Sequence, residues 1–158
     1  MSDEAWRRVA LHAILIMVFG MVVGGAPLTL FVIHQAYLPH TAVAVPGDIR
    51  GWKMAHLEGL LNGLFLLGLG VASRVRPLAP ARERWLVRGL LVSGWGNSVA
   101  SGLAPILGVR GMAMNSDPSN DLVALMFTIA LVGTLVAVGL IIAHLWRPIF
   151  PKPPAETA

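Results

Sequence analysis

Cysteine is absent from this 158-residue chain, and charge is scarce, with acidic and basic residues together making up 13%. Without thiols there is no disulfide, iron–sulfur cluster or cysteine nucleophile, and histidines and carboxylates are left as the only candidate metal ligands. Tyrosine occurs once, as Tyr37. Polar segments long enough to form a soluble domain are also missing. The hydrophobic fraction is 56%, more than a chain this short can bury in its own core, and the composition is that of an integral membrane protein.

What the chain does contain is four apolar runs, Leu11 to Ile33, Lys53 to Ala72, Leu86 to Leu107 and Asp121 to Trp146. Each reaches the roughly 20 residues that a membrane-spanning helix needs. The expected fold is all-α, a four-helix transmembrane bundle over residues 1–147. A flexible tail is expected at 148–158, where Pro148, Pro151, Pro153 and Pro154 prevent helix continuation. Between the first two spans, Val45-Pro46-Gly47-Asp48 is a turn-forming cluster that leads into the second.

A pI near 10.7 is a possible sign of nucleic-acid binding, but the basic residues sit between the spans, which is a topology signal rather than a polyanion site. Arg7, Arg8, Arg74, Arg76, Arg82, Arg84, Arg88, Arg147 and Lys152 fall on one side, and Arg50, Lys53 and Arg110 on the other. The bias predicts both termini and the middle loop in the cytoplasm, in a multi-pass protein of the cell (inner) membrane. Trp6, Trp85 and Trp146 then anchor the cytoplasmic interface and Trp52 the outer one. Small residues at helical spacing, Gly20 with Gly24, Gly59 with Gly63 and Gly94 with Asn97-Ser98 and Ser101, predict close helix packing.

The polar residues inside the spans carry the functional question, because each costs roughly 2.5 kcal/mol or more in hydrocarbon unless it is buried against a partner. The second span holds His56, Glu58 and Asn62. His56 lies about one turn inside the outer end, where a neutral imidazole binds iron or zinc through one nitrogen if an acceptor holds the other. The alternative is an interfacial, hydrogen-bonded histidine. Asn62 lies six residues on, about 9 Å along the axis and about 240° around it, so the two side chains cannot aim at one atom. If both serve a cofactor, one helix must contribute to two pockets, as happens when a cofactor lies between identical subunits.

Glu58 is placed to meet Asn62 at i, i+4, or to pair with Lys53 or Arg110. In the third span Asn97 and Ser101 share a face and offer interhelical hydrogen bonds. Phe65 and Met54 are candidates for a pocket wall, with core packing as the other reading. His12 and His144, near the cytoplasmic ends of the first and last spans, are placed to face one another or to snorkel to the interface. His34 and His40 belong to the solvated outer side.

Taken as strings, Ala10-Leu11-His12-Ala13-Ile14-Leu15, Pro46-Gly47-Asp48 with Gly51-Trp52, Ala55-His56, Leu61-Asn62-Gly63, Gly94-Trp95-Gly96-Asn97 and Arg110-Gly111-Met112 resemble, in order and spacing, the styrene oxide isomerase family. The resemblance spans roughly Ala10 to Gly133. It implies a trimeric four-helix membrane enzyme with haem b at the subunit interfaces. Such an enzyme turns an aryl epoxide into an aldehyde, with ferric iron as Lewis acid, ring opening and a 1,2-hydride shift. On that resemblance His56 is the axial haem ligand, and Asn62 helps hold the epoxide in the pocket of an adjoining subunit. The implied partners are a small apolar epoxide and membrane lipid, with no nucleic acid. One departure bears on substrate orientation: the family's third-helix tyrosine is matched here by the region of Ser101, and Glu58 is also foreign to the pattern. Two other readings stay open, a non-enzymatic haem or electron-transfer subunit with bis-histidine ligation by His12 and His144, and a cofactor-free scaffold.

Overall fold

Residues 1–41 and 45–146 are described in the computed structural model of the chain. The first span is one continuous element of 35 residues, Asp3–Tyr37, made of α1 (Asp3–Phe19), a π-helical turn (Gly20–Gly25) and α2 (Ala26–Tyr37). It is followed by α3 (Ile49–Ala72), α4 (Pro80–Leu107) and α5 (Pro118–Leu145). All four spans are long and apolar enough to cross a membrane. The tail expected at 148–158 lies outside the described residues.

The helices begin earlier than the apolar runs because their caps lie in the polar flanks. The Ser2 hydroxyl accepts from the Ala5 amide, the Asp48 carboxylate from Gly51 and the Asp117 side chain from Ser119, while Pro80 and Pro118 occupy the first turns of α4 and α5. Each cap satisfies an amide that the helix itself leaves unbonded, and proline is tolerated at the first turn because its missing N–H is one of those orphans. α4 ends at Gly108, which adopts φ +67°, the left-handed C-terminal stop that glycine takes most easily.

α3 lies at the centre, packed on α1 and α4, and α5 packs on α4, whereas α1 and α5 have no close backbone approach. Val9, Ala13 and Ile16 of α1, Leu66 of α3, Leu86 and Leu90 of α4, and Ala137 and Ile141 of α5 form the core. The α1–α3 contact is nearly backbone on backbone: a Cβ at Gly20 would lie 2.7 Å from the Gly59 Cα, and one at Gly24 would collide with the backbone of His56. Between α4 and α5, Gly89 and Gly133 play the same part, and beside them Ser93 and Thr134 share a hydrogen bond of 2.6 Å. In a bilayer such close approach supplies the van der Waals packing that water would otherwise drive through burial.

At one end the chain start is tied to the α3–α4 loop and the first turn of α4. The Ser2 amide and hydroxyl donate to the Glu83 carboxylate at 2.6 and 2.7 Å, and Asp3 pairs with Arg74 at 2.6 Å. These two segments therefore share one side, as four spans with an even number of crossings between them require. At the other end the Trp52 indole donates to the Pro46 carbonyl at 2.7 Å, fastening the turn before α3. Asn120 accepts from the Gly111 amide and donates to the Ala113 carbonyl, closing the α4–α5 loop.

Candidate functional site

Two faces of α3 carry its polar side chains. The face holding His56 meets the π turn of the first span. There the imidazole Nδ1 lies 3.2 Å from the Gly20 carbonyl oxygen, and the absence of a side chain at Gly25 leaves room for the ring, since a Cβ there would sit 3.0 Å from Nδ1. The imidazole lines an open groove of about 660 Å³ whose walls are Met21, Val22, Ala26, Leu28 and Leu30 of the first span. Thr29, also on this wall, donates its hydroxyl to the Gly25 carbonyl at 2.8 Å, so the wall offers little polarity of its own. His56 Nε2 has no hydrogen-bond partner among the described residues.

A second face of α3, about 120° round the helix, meets α4. Asn62, only 7% exposed, donates its amide hydrogens to the Glu58 carbonyl at 2.7 Å and the Glu58 carboxylate at 2.9 Å, and its Oδ1 accepts from Asn97 at 3.4 Å. Ser101 donates to the carbonyls of Asn97 and Ser98 within its own helix. Glu58 thus meets Asn62 and forms no ion pair with Lys53 or Arg110. The six-residue offset has the geometric consequence expected of an unbroken helix: His56 and Asn62 look to different neighbours.

Phe65 packs against the bundle core and Met54 is exposed, and neither lines the groove beside His56. His12 and His144 do not face each other. They stand on α1 and α5, which are not neighbours; His12 accepts a hydrogen bond from the Trp95 indole at 3.1 Å, and His144 is buried near the end of α5. His34 is bonded to Thr41 at 3.0 Å, and His40 is exposed.

The donor set narrows the chemistry. Among the described residues no three histidine or carboxylate side chains converge, whereas a bare zinc site draws three or four ligands from the protein. A single imidazole on an apolar groove suits a group that brings its own equatorial nitrogens, as a porphyrin does. The groove volume is within the range of about 300–1,000 Å³ common for cofactor sites.

Two contacts escape a reading by residue type: the Gly20 carbonyl that faces His56 in this site, and, away from it, Trp95, which occupies His12. The first had a signal in Gly24-Gly25-Ala26-Pro27. Proline lacks the N–H that would serve the carbonyl four residues back, and the two glycines place no side chain against the neighbouring helix, so the ladder is open to local rearrangement here.

Four helices long and apolar enough to cross a membrane, with an apolar groove lined by a single imidazole, define a polytopic membrane protein. The model of the styrene oxide isomerase family matches residues 5–146, nearly the whole chain. The chain therefore belongs to the styrene oxide isomerase family. Comparison with curated proteins gives no match.

Proposed function

We propose that the protein is a haem-dependent membrane isomerase that converts an aryl epoxide of the styrene oxide type into the aldehyde. The observation that carries this reading is the family match over residues 5–146; the haem part is supported by His56 in its apolar groove. Haem b, when bound, would supply a ferric, Lewis-acidic iron for opening the epoxide. His56 would hold the group from α3. The apolar walls at Met21, Val22, Leu28 and Leu30 keep water from trapping the benzylic cation as a diol, and they admit an apolar substrate directly from lipid. The conversion moves a hydride within one molecule and consumes no reductant, so no redox partner is required.

Asn62 orients the epoxide in a pocket shared with a neighbouring subunit, with Glu58 and Asn97 bonded to its amide and Ser101 bonded to the Asn97 carbonyl beside it. A homotrimer with haem between subunits accounts for α2, an apolar helix with no buried residue, which would become a subunit contact. The excess of basic residues on one side supports insertion in the inner cell membrane with both termini cytoplasmic. An electron-transfer subunit with His12 and His144 as paired ligands is disfavoured within one chain, because α1 and α5 are apart and Trp95 engages His12.

The test is the absorption spectrum of detergent-purified protein, oxidised and reduced, before and after addition of styrene oxide, with product analysis for phenylacetaldehyde. The expected result is a haem b spectrum that shifts on addition and aldehyde as product. Protein made with ample haem that shows no Soret band overturns the haem-dependent reading.

A further inference from the structure

We propose that the π turn Gly20–Gly25 is a positioning element for His56: the Gly20 carbonyl holds the proton on Nδ1, the bare Gly25 leaves the ring room to stay there, and Nε2 is thereby the nitrogen whose lone pair faces the groove. The proposal deepens the reading of His56 as the haem ligand and rests on it for its consequence, though not for its geometry.

A neutral imidazole carries one N–H and one lone pair, and a carbonyl oxygen only accepts. The 3.2 Å approach of Nδ1 to the Gly20 oxygen is therefore a hydrogen bond in one tautomer and a contact between lone pairs in the other. Gly20 is buried and the groove beside the ring is lined mainly by apolar side chains, a setting that enlarges the difference. No competing donor is aimed at the carbonyl: Thr29, the one hydroxyl on this wall, is bonded to the Gly25 oxygen. A carbonyl has two lone pairs, so Gly20 can serve its own helix and His56 together.

The sequence explains why the turn forms at this level. Pro27 has no amide hydrogen for the Val23 carbonyl, and an inserted residue in an i→i+5 turn relieves the ladder just before it. Gly20 and Gly24 let α3 approach within backbone contact, so that a side chain from α3 reaches a carbonyl of the first span at all. Gly25 is the third requirement, because a methyl 3.0 Å from Nδ1 would make the ring give by a few tenths of an ångström, lengthening an approach that is already 3.2 Å. An acceptor on the non-ligating nitrogen also raises the basicity of the ligating one, and losing such a partner typically costs about 10–100-fold in metal affinity.

The experiment is nitrogen-15 NMR of the full chain, labelled at histidine and purified without haem in detergent, with the His56 signals assigned by their loss in His56→Gln. The expected result is the Nδ1–H form of His56 in about tenfold excess or more; a predominant Nε2–H form, or an even mixture, overturns the proposal. In haem-loaded protein, Gly25→Ala is expected to lower the ferrous iron–histidine stretching frequency and to weaken haem binding about tenfold, and an unchanged frequency and affinity in a folded variant also overturns it. Should Gly25→Ala fail to fold, the tautomer of the parent protein still decides. Should the parent bind no haem, the haem reading falls alone, and the NMR result continues to stand or fall by itself.

Discussion

Asn62 donates both of its amide hydrogens to one residue, Glu58, through the backbone carbonyl at 2.7 Å and the carboxylate at 2.9 Å. The arrangement fixes which way the amide is turned, with its oxygen toward Asn97 on α4. Glu58→Gln keeps an acceptor at the same reach and is expected to retain near-parental turnover. Glu58→Ala leaves only the backbone bond, so the amide can rotate, and turnover should fall about tenfold, the effect of one lost hydrogen bond of about 1 kcal/mol or slightly more. Steady-state kinetics with styrene oxide on both variants checks this, with the Soret band unchanged as a control. Equal loss in both would show that charge, not orientation, is what Glu58 contributes.

Asn62→Ala removes the amide itself and leaves the Asn97 donor without its acceptor. Haem content should stay at the parental level while epoxide conversion slows by about one to two orders of magnitude, as for other positioning groups. Product formation per haem is the quantity to measure, and equal rates in variant and parent would remove Asn62 from the site.

His56→Ala should abolish haem binding without unfolding the bundle, because the ring reaches out from α3 to a groove and is not one of the side chains that form the core. Absorbance per protein together with far-ultraviolet circular dichroism separates the two effects. Full haem retention with an unaltered spectrum would assign the ligand elsewhere.

Much of this was legible in the sequence, and the parts that were not share a physical cause. Four spans follow from hydropathy alone, and the divergent directions of His56 and Asn62 follow from their six-residue spacing, because α3 is an unbroken α-helix. The helix starts at Asp3, Ile49 and Pro80 lie outside the apolar runs because Ser2, Asp48 and Pro80 act locally, through caps and first-turn geometry that hydropathy does not register. The π turn was invisible to periodicity since Gly20 to Gly25 contains no polar residue to mark a face. His12 and His144 were matched by depth, but depth in a membrane does not say which helices are neighbours. The partner of His12 is Trp95, 83 positions away, and nothing local points to it.

The α1–α3 crossing gives a prediction on stability with an internal control. A Cβ at Gly59 would strike the backbone of Gly20, whereas Gly68 on the same helix has open space around it. Gly59→Ala should destabilise the bundle by about 1–3 kcal/mol, the usual cost of overpacking. Gly68→Ala should be neutral or slightly stabilising, in line with the helix preference for alanine. Unfolding by denaturant in mixed micelles measures both, and similar midpoints would mean that the two helices are not packed backbone on backbone at Gly20.

Trp95 supplies the last prediction, which also separates the isomerase from an electron-transfer subunit. Its indole N–H is the donor to His12 Nδ1 at 3.1 Å, and its ring meets those of His12 and Phe19 edge-on. Trp95→Phe keeps an aromatic ring and removes the donor, so the expected cost is a single hydrogen bond, about 0.5–1.5 kcal/mol, seen as a lower unfolding midpoint. If His12 serves packing and this bond alone, His12→Phe should leave haem content, the Soret maximum and the spin state as they are in the parent. If His12 is instead an axial ligand, His12→Phe converts a low-spin spectrum into a high-spin one or loses the haem altogether. Absorption and electron paramagnetic resonance spectra of the ferric His12→Phe and His56→Ala variants, taken side by side, therefore assign the ligand: haem loss confined to His56→Ala supports the isomerase site, and loss in His12→Phe overturns it.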